Sequence, residues 1–291
     1  MFVLLAFGAT LVLFLLWPGE ALAWGPVTHL VHGSTVLQTL TTAIAPLQET
    51  LTRHRLAYLY GCIAPDIMHA KRYTRSVYTH CHCWDVGWQV VEAARTPRQT
   101  SFAYGYLSHL AGDVFSHNHY VPCRLVTCYE ARALRHLYWE ARFDAAQSGN
   151  RWRLVRDVMR HRYDDCDDLV ERVVERTLFS FRTNKRIFSS VMAVQQLEQW
   201  HAMVRAVAQR SRYQLSTRDI DRFNEICIES IRELLARGRD ASCQQADPTG
   251  HEALARAEVL RRKLRTLRRH GVLPPAIAAE IAALGALPEP S

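Results

Sequence analysis

The chain has 291 residues, 48% of them hydrophobic, which is enough to bury a substantial core in one or two domains and excludes a chain too polar to fold. Thirty-six Lys and Arg against 28 Asp and Glu leave a net charge of +8, with 14 His besides. Much of that excess sits in one C-terminal run, RAEVLRRKLRTLRR at 256–269, a local face open to anionic lipid, nucleic acid or plain solvent, so basicity alone assigns no function.

Residues 1–23 form a continuous apolar run closing on Ala21-Leu22-Ala23, the pattern of a signal peptide cleaved ahead of Trp24. No Lys or Arg precedes the run, and about sixteen apolar positions approach the length of a membrane span, so an uncleaved anchor is the alternative. Export brings the eight Cys to an oxidising compartment, where Cys81/Cys83 and Cys123/Cys128 are the local candidates for pairing. After Trp24-Gly25-Pro26, Thr28 is placed to cap a helix that carries His29 and runs toward Ala45. A second helix covers 47–60 and stops at Gly61, and Pro65 stiffens a loop that presents Asp66. His80 and His82 flank Cys81 ahead of a helix at 84–94, and Thr96-Pro97 turns the chain into its central stretch, 102–140.

Read as helix, that stretch sets His109, Asp113 and His117 at i, i+4 and i+8 on one face, with His119 close behind. Further on it sets His136 and Glu140 at i and i+4. Imidazole and carboxylate are what Zn²⁺ or a similar borderline cation takes from a protein. An ordinary polar helix face is the alternative for the His-Asp-His triple taken alone; a second pair so close behind favours metal. Residues 163–181 read as an amphipathic helix led by Asp164, Asp165, Asp167 and Asp168, where negative charge suits a helix N-terminus. Residues 187–208 and 219–237 read as long helices, 247–250 as a linker, 252–270 as a basic helix and 273–291 as an Ala/Pro-rich tail. No run of alternating β-branched residues suggests a sheet, and the architecture reads as all-α.

The series of motifs resembles the zinc-dependent phospholipase C family, whose bacterial members are exported all-α enzymes holding three zinc ions. The resemblance covers roughly 24–188. It rests on a Trp placed first by signal cleavage (Trp24), a His in a Thr-His context (His29), a Pro-Asp loop (Asp66) and a following His (His80 or His82). It continues through His-x-x-x-Asp with a further His (His109, Asp113, then His117 or His119) and closes on His-x-x-x-Glu (His136, Glu140). By what the resemblance implies, Trp24, His29 and Asp113 hold one zinc. Asp66, His80 or His82, His109 and the shared Asp113 hold a second, and His117 or His119, His136 and Glu140 hold a third. Helical spacing favours His117, while the best-known phospholipases place this His six residues after the Asp, at His119.

The function expected is phospholipase C-type cleavage of a phospholipid head group, a phosphodiester hydrolysis by a metal-activated water with Asp66 as general base. The partner is then a phospholipid or membrane surface. A related fold, that of the exported single-strand nucleases, keeps nucleic acid as a second substrate class, for which Trp84, Trp88 and Tyr106 are candidate base-stacking residues. A non-catalytic exported metal-binding protein is a third reading. The expected organisation is a signal peptide at 1–23, a single multi-helix domain of phospholipase C and single-strand-nuclease type at 24–240, and a basic helix with tail at 241–291. The protein is periplasmic or extracellular if the signal is cleaved and membrane-anchored if it is not.

Overall fold

The first helix, α1 (Pro26–Thr39), begins where Pro26 fixes the backbone in the first turn and Gly25 stands at the N-cap without a side chain to serve it. The computed structural model describes residues 24–40, 45–68, 80–130, 136–147, 151–174, 180–196 and 213–267, with scattered positions in 200–211 and 275–281. Thr28 lies inside the first turn of α1 and is not its cap. The orphan amides there are met from another helix, by Asp144, which accepts from Val27 N at 3.2 Å and Thr28 N at 2.9 Å.

The chain continues through α2 (Ala45–Arg53), α3 (Arg55–Gly61) and α4 (Ala64–Ile67). The single helix expected over 47–60 is broken at His54, whose φ of −109° and ψ of 36° leave the helical region. The expected loop at Asp66 is a one-turn helix opened by Pro65. Next come α5 (Trp84–Glu92) and α6 (Pro97–Phe115), the latter capped by Thr96, whose hydroxyl accepts from Gln99 N at 3.2 Å. α6 does not end in a regular cap. It widens into a π-helical turn, Ser116–Tyr120, and resumes as α7 (Val121–Thr127).

The rest is α8 (His136–Ala146), α9 (Trp152–Met159), α10 (Asp164–Val173), α11 (Phe181–Gln195), α12 (Thr217–Arg237) and α13 (His251–Leu267). The helix expected over 163–181 stops at Val173, because Val174 is extended. The basic helix expected over 252–270 is α13, although only Ala257, Leu260, Arg261 and Leu264 are buried along it. No strand occurs among the described residues, and the fold is all-α.

α6 is the axis of the molecule. From Phe102 on, all but one of its residues are buried, with α3, α5 and α12 packed around it. Its closest neighbour is α3, where Gly61 and Gly105 face each other. A Cβ on Gly61 would strike Phe102 O and one on Gly105 would strike Tyr58 O, so the two backbones touch with no room between them. A helix this deep cannot leave polar groups unmet. Ser108 accordingly pairs with Tyr58 OH at 2.9 Å, while His109 and Asp113 face the site described next.

All eight cysteines are free thiols, so the pairings considered for Cys81/Cys83 and Cys123/Cys128 are not formed. No described helix is long and apolar enough to cross a membrane. Residues 1–23, which carry the expected signal peptide, lie outside the described residues.

Candidate metal centre

Three helices and one loop meet at Asp113. Its Oδ1 lies 3.2 Å from His29 Nε2 of α1. Its Oδ2 lies 3.1 Å from His109 Nε2, one turn earlier on α6, and 3.3 Å from His82 Nε2 in the loop before α5. Asp66 of α4 completes the group, with Oδ1 3.3 Å from His82 Nε2 and 3.8 Å from His109 Nε2. All five side chains are buried. His29 and His109 stack with ring centroids 3.9 Å apart, and the Nε2 atoms of His82 and His109 approach to 3.1 Å. Two sets of mutually close ligand atoms result, His29/Asp66/His109 and His82/His109/Asp113.

Hydrogen bonding alone does not account for this packing. Among the described residues, His29 Nε2 and both carboxylate oxygens of Asp113 are buried polar atoms without a hydrogen-bond partner, a costly state in a protein interior. Imidazole nitrogens aimed together at carboxylate oxygens are what a divalent cation requires, and the donor set fits zinc. The protonation states fit as well. Burial, and then the neighbouring His109, lower the pKa of His29 against the pull of Asp113. Burial would raise the Asp113 carboxyl, but His109, His29 and His82 together hold it well below the usual carboxylate range. Neutral imidazole beside ionised carboxylate is the form that binds metal.

The supporting contacts aim the rings. His109 Nδ1 lies 2.9 Å from Cys62 O and His117 Nδ1 lies 2.6 Å from Pro248 O. A carbonyl only accepts, so each Nδ1 carries the proton and each Nε2 keeps its lone pair for a ligand role. The loop bearing His82 is held from both sides: Cys81 Sγ lies 3.3 Å from His82 Nδ1 and 3.6 Å from Pro65 O, and Tyr106 OH donates to Cys81 O.

The remaining expected residues divide. His82 enters the cluster, whereas His80 sits half-buried behind it, its Nδ1 accepting from His82 N at 3.1 Å; with Cys81 and His82 it forms a separate close-set group. His117 is buried in the π-turn, where burial lowers its pKa and Asp113, His82 and Asp66 act on it electrostatically. His119 is only partly buried, its ring 6.0 Å from that of Phe115. Trp24 is fully buried, its indole donating to Gly112 O at 3.0 Å and packing 4.1 Å from the Phe143 ring. A Cβ on Gly112 would lie 3.7 Å from the His29 ring and 3.8 Å from the Trp24 ring, so both flank the same turn of α6. Glu140 is buried on α8; His136 opens that helix, and its side chain lies outside the described residues.

Two groups escaped the sequence reading. Asp144 falls one turn after Glu140, a spacing that continues the His136–Glu140 face and was legible. The Pro248 carbonyl had no signal, since a main-chain acceptor carries no side-chain signature. The three aromatics considered for base stacking are otherwise engaged: Trp84 Nε1 donates to Ala246 O at 2.9 Å, Trp88 Nε1 to Gln244 Oε1 at 3.0 Å, and Tyr106 is buried.

A sequence model described as zinc dependent phospholipase C matches residues 28–204. No curated protein and no solved structure matches the chain.

Proposed function

The chain belongs to the zinc-dependent phospholipase C family and is a zinc-dependent hydrolase of phosphoric diesters, and on that premise we propose that it cleaves the head group from a phospholipid at the buried Asp113 cluster. The observation that carries this reading is the split carboxylate of Asp113: one oxygen faces His29, and the other faces His82 and His109. A carboxylate shared in that way serves two cations at once. His29 and Asp113 Oδ1, with the main chain of Trp24, form one ligand set. Asp66, His82, His109 and Asp113 Oδ2 form the second, and His117, His136 and Glu140 the third. His82 stands in preference to His80 because it lies within the cluster, and His117 in preference to His119 because it is buried and feels the charges of Asp113 and Asp66.

Bound zinc supplies a lowered water pKa and charge to meet the phosphoryl oxygens. The chain's own contribution is orientation. The Cys62 and Pro248 carbonyls fix two rings, and the dry walls of α6 strengthen every charge interaction inside. Asp66, a carboxylate at the edge of the cluster, takes the proton of the attacking water as general base. Export with cleavage after Ala23, leaving Trp24 first, belongs to the same reading.

The test is hydrolysis of phosphatidylcholine micelles by the mature protein, abolished by chelator and restored by zinc. Asp66→Asn keeps an amide oxygen where the carboxylate ligand was and removes the base, so measured at full zinc loading it should lose about a hundredfold or more in kcat, the usual contribution of a general base. A fully metallated protein that leaves phospholipid intact and cuts single-stranded DNA would move the substrate to nucleic acid; one that binds no zinc would overturn the proposal.

A further inference from the structure

The segment between α12 and α13, residues 238–250, lies beyond the part of the chain matched by the family, and its last four residues, 247–250, were expected to be a linker. It is instead strapped to the molecule at both ends. Trp88 and Trp84 of α5 hold Gln244 and Ala246, and Asn118 Nδ2 of the π-turn donates to Asp247 O at 2.8 Å. Asp247 then closes a tight turn on itself, accepting from Thr249 N at 2.9 Å, Thr249 Oγ1 at 2.5 Å and His251 N at 3.3 Å. That turn delivers the Pro248 carbonyl to His117 Nδ1 and sets Gly250 against the His117 main chain.

We infer that the 244–250 strap is a positioning element of the metal centre, holding the His117 ring by its Nδ1 so that Nε2 is left as the ligand atom. The inference rests on the zinc-hydrolase reading above. Two features of the strap make sense only together. A proline contributes no amide donor, so position 248 offers His117 only an acceptor, which keeps the proton on Nδ1. Gly250 adopts a φ of +56°, and a Cβ there would strike His117 O and lie 2.5 Å from His117 Cβ, so the strap is seated without a gap. The π-turn supplies the matching half. Its widened winding lets His117 and Asn118, adjacent in sequence, both reach the strap, which successive residues of a regular helix, about 100° apart, do less readily.

A matched pair of substitutions isolates the role. Gly238 also has a left-handed φ, +59°, but a Cβ there meets only Trp88 Cη2 at 3.7 Å. Both substitutions put a side chain at a positive φ, Gly238 with the more demanding ψ of −123°, and only the second pushes on His117. Zinc per folded molecule is measured by elemental analysis, zinc affinity by competition with a chromophoric chelator, and ligand geometry by the visible spectrum of the cobalt-substituted protein. Gly250→Ala should lose one zinc or bind its weakest ion about tenfold or more less tightly, the usual effect of removing an outer-sphere support, with an altered cobalt spectrum. Gly238→Ala should match wild type. Asp247→Ala, which unpicks the turn without adding bulk, serves where Gly250→Ala does not fold, and should shift zinc affinity in the same direction. Equal zinc content, affinity and cobalt spectrum across wild type and the strap variants would overturn the inference while leaving the hydrolase reading intact; wild-type protein free of zinc would overturn both.

Discussion

The Asp144 carboxyl, buried between α8 and α1, accepts from two amides and the Thr28 hydroxyl, yet burial pushes its pKa up to about 7 from an ordinary 3.8. Between about pH 4 and about 7 the folded protein therefore holds a proton that the unfolded chain has released, so stability falls as pH rises across that window. His32 runs the opposite way. Burial lowers it to about 4 from 6.5, against a 2.8 Å hydrogen bond to Asn224, so its contribution to stability rises with pH over much of the same range. Asp144→Asn should remove the falling limb, on the order of a few kcal/mol at most, and leave thermal stability level or climbing from pH 4 to 7. A variant whose melting temperature still declines with pH as wild type does would contradict this. The types and spacing of His29, Asp66, His109 and Asp113 were legible in the sequence. The choice of His82 over His80 was not, because it depends on how Tyr106 and Pro65 pin the loop between them, and those contacts span long stretches of chain.

The sequence reading was strongest for helices whose apolar stripe meets the core and weakest where packing bends the backbone. α12 matches its expected span almost residue for residue, with Ser216 capping it by accepting from Asp219 N at 3.1 Å. The π-turn, the break at His54 and the one-turn α4 carry no local signature, since each is imposed by the partner it packs on. The acidic start of α10 was read as a cap, and Asp164, Asp165 and Asp167 do occupy its first turn. Asp167 also accepts from Tyr60 OH at 2.6 Å and pairs with Lys185 at 2.5 Å, tying α3, α10 and α11 together. The tightest joint is α3 against α6. Gly105→Ala should cost about 3 kcal/mol, the upper range for overpacking, because the obstacle is backbone and cannot swing aside. Chemical denaturation measures it, and a loss well under 1 kcal/mol would show the crossing to be looser than described. Cys62 follows directly on α3, so pushing α3 away should also loosen Cys62 O from His109 and weaken zinc affinity together with stability.

Across the whole molecule, the buried cluster ties the folded state to its metal. Stripping zinc leaves ionised Asp113 and three imidazoles facing one another in a dry interior, while the unfolded chain has no such site to lose. At a thousandfold excess over Kd each ion adds about 4 kcal/mol, equivalent to about 10 °C in melting temperature for a chain of this size. Chelation should therefore lower the melting temperature by about that much or more, and zinc should restore it; an unchanged melting curve would show that the cluster folds indifferent to metal. The strap adds an order of events. A polypeptide leaves the ribosome N-terminus first, so every proposed ligand through Glu140 has emerged well before the Pro248 carbonyl that steadies His117. A nascent chain carries the donors in an unfinished cage, and the cage closes only with the last third of synthesis. A chain stalled between α12 and α13 carries every proposed zinc ligand and still lacks the carbonyl that steadies one of them.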